Sequence, residues 1–320
     1  MTMPASLVNR LSIPVIASPL FIISNPDLVL AQCRAGVVGS FPSLNARPLS
    51  QLDEWLHQLS TELTEADAPF AVNLIVHKTT ARLEDDVEMC VKYKVPVVIT
   101  SLGAREDINA AIHSYGGIVM HDVINDRFAH KAIEKGADGL IAVAAGAGGH
   151  AGTISPFALI QEIRAWFDGP LALSGSIANG GAVLAALAMG ADFAYIGSAF
   201  IATDEARADE RYKQMIVGSA ASDIVYSNLF TGVHGNYLRP SIIAAGMDPD
   251  NLAVSDASAM NFGSGGNTDA KAWKDIWGCG QGIGSVTEVQ GAGAFIAKLK
   301  REYEAARVRL GLEVHQAVAA

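Results

Sequence analysis

Short apolar segments of four to six residues recur through the first two thirds of the chain, each followed by a helical pattern. This alternation constrains the fold more than any other feature. Segments 14–17, 36–40, 70–75, 95–100, 117–120, 139–143, 170–174 and 193–196 are β-rich and apolar at consecutive positions. Strands covered on both faces read this way, and such strands belong to parallel sheets. Helical patterns lie between them, near 25–35, 50–65, 80–93, 104–115, 126–136, 156–167 and 180–190. The phrases EKGADGLIAV and AMGADFAYIG repeat one device: a helix end, a capping glycine, then an aspartate leading into a strand. Eight βα units in about 200 residues match an α/β fold closed as a (β/α)8 TIM barrel with right-handed crossovers. A doubly wound sheet, which uses five or six strands, ranks second.

The rhythm breaks after residue 203. The spacing therefore predicts three regions: a barrel over 1–203, a mainly helical and loop segment over 204–290 beside the barrel mouth, and a C-terminal helix over 291–320 that returns to the barrel. A Gly/Asn/Ser loop, NFGSGGNTDA, falls in the middle region. Residues 181–202 are nearly all apolar and long enough to imitate a membrane span. Gly190, Ala191 and Asp192 interrupt that run, so a helix, a glycine turn and a buried strand explain it better. The N-terminal apolar stretch has no small-x-small cleavage pattern and is broken by Pro14 and Pro19, which argues against a signal peptide.

Composition narrows the function. Lys and Arg total 23 against 33 Asp and Glu, a formal charge of −10, so a phosphate-tracking nucleic-acid binder is not expected. Cys33, Cys90 and Cys279 are an odd, scattered set without zinc or disulfide spacing. A reducing, cytoplasmic setting is the expectation. No HExxH, HxH or carboxylate cluster suggests a metal. A homodimer is left open.

Barrel enzymes carry their chemistry on the loops after the strands. After the first strand, Ser18-Pro19-Leu20 reads equally as a plain turn or as backbone lying against a flat ligand. Asn73, in the third strand, offers an amide suited to the edge of a heteroaromatic ring, although a turn-forming Asn is the better reading of that residue alone. His121 directly follows the fifth segment and is placed to reach a ligand. After the sixth strand, Gly148 and Gly149 precede His150 in AAGAGGHAGTISP, where glycines permit close approach and an imidazole can exchange protons. Gly146, Gly148 and Ala151 also fit a dinucleotide-type GxGxxG/A, but Pro156 starts the next helix late and the next strand ends in Ser174 rather than an acid. The loops after the seventh and eighth strands, SGSIANGG from Ser174 through Gly175 and Ser176, and Gly197-Ser198, pair small residues with helix N-termini and point to a phosphate site. Cys279, in WGCGQG, has no identifiable activating histidine.

These pieces in this order resemble the nitronate monooxygenase (2-nitropropane dioxygenase) family of FMN-dependent barrel enzymes. The resemblance rests on the early ASPL, AVN around Asn73, Gly-Gly-His-Ala-Gly at 148–152, SGSIANGG, IGSAFIAT at 196–203 and Gly280-Gln281-Gly282. It implies FMN across the barrel mouth, with Ser174, Gly175, Ser176, Gly197 and Ser198 around its phosphate. It also implies Ser18, Pro19, Leu20, Asn73, His121, Gly148 and Gly149 along the ring and ribityl chain, Gln281 closing over the cofactor, and His150 as the catalytic histidine. The chain departs from the family's Q-x-x-E-A-G-G-H pattern, with Val143 and Gly146 at the Gln and Glu positions. The family reading predicts oxidation of alkyl nitronates or nitroalkanes with O2. Two alternatives remain: an NAD(P)H-dependent FMN reductase acting on a quinone or enoyl thioester, and a non-catalytic barrel that binds a phosphorylated ligand.

Overall fold

A computed structural model of the 320-residue chain describes residues 7, 9–77, 79–255 and 276–312. The NFGSGGNTDA loop and the last eight residues lie outside the described residues. Eight parallel strands form the central sheet: β1 (Val15–Ala17), β2 (Gly39–Pro42), β3 (Phe70–Ile75), β4 (Val97–Ser101), β5 (Ile118–Val123), β6 (Gly139–Val143), β8 (Leu171–Ser174) and β9 (Phe193–Ile196). A two-residue strand, β7 (Gly149–His150), interrupts the numbering and belongs to another sheet. The order β1-β9-β8-β6-β5-β4-β3-β2 is closed by a parallel bridge between Ile16 and Val38, so the sheet is a (β/α)8 TIM barrel.

Alternation along the strands sorts the side chains into two layers. Ile16, Val38, Ala71, Val97, Ile99, Met120, Ile141, Ala172, Phe193 and Tyr195 fill the barrel interior. Val72, Leu74, Val98, Val119, Ala142, Leu173 and Ile196 point outward onto the surrounding helices.

The repeated sequence phrase has a structural counterpart. Gly136 and Gly190 adopt positive φ, +88° and +113°, as residues that end a helix and turn the chain. Two residues on, Asp138 accepts a hydrogen bond from Val119 N–H at 2.7 Å, and Asp192 accepts one from Leu171 N–H at 2.9 Å. The backbone N–H of each aspartate donates to the carbonyl of the same residue, at 2.9 and 2.7 Å. Each aspartate thus latches the start of one strand to the start of its neighbour.

The apolar run at 181–202 resolves into the helix Gly180–Met189, the Gly190 turn, β9 and the short helix Ser198–Ile201. No helix among the described residues is long and apolar enough to cross a membrane. The helix Ala292–Arg309 returns to the barrel, and Gly180 lets it approach. A Cβ at Gly180 would lie 2.1 Å from Tyr303 N and 2.2 Å from Leu299 O.

Within 204–290 the helix Glu210–Val217 is present, together with an element the periodicity missed. Strands β10 (Ile224–Ser227) and β11 (Gly235–Leu238) form an antiparallel hairpin, and β11 pairs onward with β7. The segment is therefore not purely helical and loop. Its strands are four residues each, and β11 takes its second partner, β7, from far back in the chain, so no local pattern marks them.

Candidate active site

One cleft at the C-terminal ends of β6, β8 and β9 collects residues from four stretches of chain. Gly148, Ser174, Gly175, Ser176, Gly197 and Ser198 line it together with Tyr195, Gly280 and Gly282. The predicted phosphate loops are thus brought together, and the tail reaches them. Gly280 N–H donates to Ser198 Oγ at 2.8 Å, and Gln281 N–H donates to Gly146 O at 2.9 Å. Contact is close enough to require glycine: a Cβ on Gly148 would sit 2.8 Å from Gly280 N, and one on Gly146 would sit 2.1 Å from Ser176 Oγ. The Gln281 side chain also reaches Gly146, with Oε1 2.9 Å from that same position. Ser176 is exposed and holds a left-handed φ of +58°, a strained conformation of the kind found at ligand clamps.

The helix N-termini contribute less than expected. At Gly180–Met189, Glu302 accepts from Gly180 N–H at 2.9 Å and Asn179 accepts from Ala182 N–H at 2.9 Å. A carboxylate already satisfies the positive end of that helix. Any anion in the cleft would be held by loop amides and serine hydroxyls.

Ser18 and Leu20 lie against Gly197, at 3.3 and 3.6 Å from the position of a Cβ there. Ser18 also hydrogen-bonds the Tyr195 side chain, whose hydroxyl is pushed up by burial. Ser18, Pro19 and Leu20 are half-buried beside the cleft.

Asn73 shares the interior face of its strand with Ala71, and it is 4% exposed. Its amide nitrogen donates to Ile99 O at 3.0 Å and to Ser101 Oγ at 2.8 Å. Ser101 Oγ donates in turn to Asp122 Oδ2 at 2.5 Å. Burial raises the Asp122 carboxyl to about 6, against the lowering effect of the Ser101 and Leu102 hydrogen bonds. Neither Ser101 nor Asp122 is visible from motif reading. The period-2 pattern was the available signal, since both stand on the interior face with Ile99 and Met120.

His121 is a correction. It lies within β5 rather than after it, on the face opposite Met120, alongside the helix-facing Val119 and Val123. Its Nδ1 is 2.6 Å from Thr100 Oγ1, and burial lowers the imidazole to about 4. The strand runs three residues past the predicted end, so His121 falls inside it, and alternation with the interior-facing Met120 turns it toward the helices.

His150 belongs to β7 and stands opposite Gly235 of β11. Its Nε2 lies 3.0 Å from Thr231 Oγ1, which donates to Val233 O at 2.8 Å. A hydroxyl engaged that way faces Nε2 with its lone pairs, so the imidazole presents Nε2–H there. Burial pushes the ring below its ordinary value, so it is mainly neutral at pH 7. Asn236 braces the same turn, with its side-chain amide donating to Ala147 O at 2.6 Å and its backbone carbonyl accepting from Cys279 N–H at 3.0 Å. Gly149, with φ +67°, completes the turn into β7.

The cysteines supply no nucleophile. All three are free and buried, and burial pushes the Cys279 thiol up to about 12. Among the described residues no group of three or more His, Cys, Asp or Glu is arranged to hold a metal ion.

The nitronate monooxygenase family profile matches residues 79–301. A nitronate monooxygenase of Paraburkholderia phytofirmans is 25% identical over 284 residues, covering 74% of this chain and 76% of its own. A 5-hydroxy-7a-methyl-1-oxo-octahydro-1H-indene-4-carboxyl-CoA dehydrogenase of Rhodococcus jostii is 24% identical, covering 78% and 69%. In three dimensions the chain is similar to nitroalkane oxidase from Streptomyces ansochromogenes, with TM-score 0.79, 23% identity and coverage of 95% and 100%. It is similar also to FabK from Thermotoga maritima, with TM-score 0.78, 24% identity and coverage of 98% and 100%. The last two likenesses speak for the fold.

Proposed function

Because the chain belongs to the nitronate monooxygenase family, an oxidoreductase family whose profile spans residues 79–301, we propose that it binds FMN and oxidises alkyl nitronates or nitroalkanes with O2. The observation that carries this reading is His150, held mainly neutral on a pinned strand beside a glycine- and serine-lined cleft. Bound FMN supplies the electron acceptor, and the protein supplies placement and proton handling.

The cleft fits the phosphate end of such a cofactor. Ser174, Gly175, Ser176, Gly197 and Ser198 line it and offer amides and hydroxyls to an anion. Asn73 meets the ring edge, with Ser18, Pro19, Leu20, Gly148 and Gly149 beside it and Gln281 covering it from the tail. Residues 1–203 form the cofactor-binding barrel, 204–290 cover its mouth, and 291–320 return to it. His150 takes the proton from a neutral nitroalkane or, once protonated, donates a hydrogen bond to a nitronate oxygen. Its neutrality suits the first role, since a base must begin unprotonated.

A second reading follows from the CoA-linked dehydrogenase among the relatives: an NAD(P)H-dependent reductase of a thioester or quinone. An anaerobic visible spectrum separates the two. Bleaching by a nitronate supports the monooxygenase, bleaching by NADPH alone supports the reductase, and a protein that cannot be reconstituted with FMN refutes both.

A further inference from the structure

Three side chains on adjacent strands form a directed hydrogen-bond chain across the barrel interior. Asn73 on β3 donates to Ser101 on β4 at 2.8 Å, and Ser101 donates to Asp122 on β5 at 2.5 Å. Asn73 and Ser101 are nearly inaccessible, at 4% and 7% exposure. The direction is dictated by chemistry. An ionised carboxylate only accepts. The Ser101 proton therefore points at Asp122, and its lone pair faces Asn73. Asn73 must turn its NH2 toward Ser101, and its second hydrogen is taken by Ile99 O at 3.0 Å. Both donors are engaged, so Asn73 presents only its carbonyl oxygen to a ligand in the mouth.

Leu102 reinforces the arrangement from the other side. Its backbone holds φ +68°, unusual for a bulky residue, and its N–H also hydrogen-bonds the Asp122 carboxylate. Strain at Leu102 and the polarity of the chain thus converge on one carboxylate.

We propose that Asp122 is a positioning residue for the cofactor: acting through Ser101, it fixes the Asn73 amide so that the barrel mouth offers an acceptor that selects a ring N–H. This rests on the FMN reading above. An oxidised isoalloxazine has a single ring N–H, the imide at N3, so an acceptor at the ring edge can be matched by that group alone. With Asn at position 122 the direction of the chain is no longer imposed. Ser101 can then donate toward Asn73, which leaves Ile99 O as the one acceptor that still holds the NH2, so the orientation presenting NH2 to the mouth becomes partly populated.

The test is flavin binding by the full-length apoprotein, titrated by fluorescence with FMN and with N3-methyl-FMN. The unaltered protein is expected to prefer FMN by roughly 10-fold, the effect of one buried hydrogen bond and the acceptor stranded without it. Asp122→Asn, which is isosteric, is expected to bind FMN about 3-fold more weakly and to lose part of the preference, because Ile99 O still holds the Asn73 amide. Ser101→Ala breaks the chain without altering charge and is expected to reduce the preference likewise, with Ile99 O as the remaining hold on the Asn73 amide. Circular dichroism melts report whether each variant is folded, and a purely structural role would not change the ratio of the two affinities. An unaltered protein that binds both flavins equally, or a folded Asp122→Asn that keeps the full preference, overturns the proposal. Failure of the unaltered protein to bind FMN at all overturns the cofactor reading along with it.

Discussion

The Nε2 atom of His150 and the hydroxyl of Thr231 lie 3.0 Å apart although 81 residues separate them in the chain. The hairpin that carries Thr231 is also the one whose second strand pairs with β7. One segment therefore both places the imidazole and fixes which nitrogen bears its proton. Replacing His150 by Ala is expected to lower nitroalkane turnover about 10²–10⁴-fold if it is the base. Thr231→Val should lower it by a smaller factor, roughly 3–10-fold, through loss of one hydrogen bond. Steady-state kinetics checks both, and near-normal turnover in His150→Ala removes the histidine from the mechanism. The acidic limb of kcat/KM should fall below the ordinary histidine value, because burial lowers the imidazole.

Gly180 tests the docking of the last helix. An alanine there would place a methyl 2.1 and 2.2 Å from backbone atoms of Tyr303 and Leu299. Backbone cannot yield as a side chain tip would, so Gly180→Ala should cost about 2–3 kcal/mol. Gly293, in the same C-terminal helix, meets nothing within 4 Å. Gly293→Ala should stabilise by roughly 0.5–1 kcal/mol through helix propensity. Urea midpoints would show the opposite signs.

Asp192 pairs with Arg164 at 2.6 Å, with side chains 10% and 14% exposed. Asp192→Ala leaves the guanidinium half-buried without its carboxylate and frees the Leu171 N–H. A loss of about 3–5 kcal/mol is expected. The Arg34–Glu62 pair, 50% and 40% exposed, makes the contrast. Glu62→Ala should cost under about 1 kcal/mol. Comparable losses at the two sites would show that burial does not govern these pairs.

His121 should make the protein acid-labile. Its imidazole ionises near 4 in the folded state and near the ordinary 6.5 when unfolded. The unfolded chain then binds more protons, so stability is lost as pH falls from 6.5 toward 4, by roughly 3 kcal/mol in full. Asp122 acts in the opposite sense. Its carboxyl is raised from 3.8 to about 6, so it stabilises the folded state at low pH and loses that contribution as pH rises across this window. Comparing the unaltered protein with His121→Asn at pH 6.5 and 4.5 isolates the histidine. The variant is expected to lose less on acidification, and equal losses would contradict the assignment.

The barrel itself was legible because its signals are local. A strand, a helix and a capping glycine fit within about 25 residues, and the Gly-Ala-Asp phrases announce two of the joints directly. The glycine- and serine-rich loops that meet in the cleft were legible for the same reason. His150 was singled out by its glycines, but its partner was not, since Thr231 is brought in by a hairpin of two four-residue strands. His121 was read as following a strand that continues three residues further, so it stands within a period-2 element whose alternation turns it to the helix side. Ser101 and Asp122 carry no motif. They gain meaning only when three neighbouring strands are set in register, with Asn73 opposite Ile99 and Met120 opposite Ile99 on β4.

The paired aspartate latches have a consequence for how this scaffold can change. Asp138 and Asp192 act at the N-terminal ends of β6 and β9, while His150, the serine loops and the Asn73 chain lie toward the other end. Strand alignment is thus secured on the floor of the barrel, away from the residues that meet a ligand. The loops above could be exchanged, lengthened or replaced by those of another enzyme, and the floor would still hold the strands in step. The division marks where an engineer should cut: graft new chemistry onto the upper rim, and leave the two Gly-Ala-Asp joints untouched.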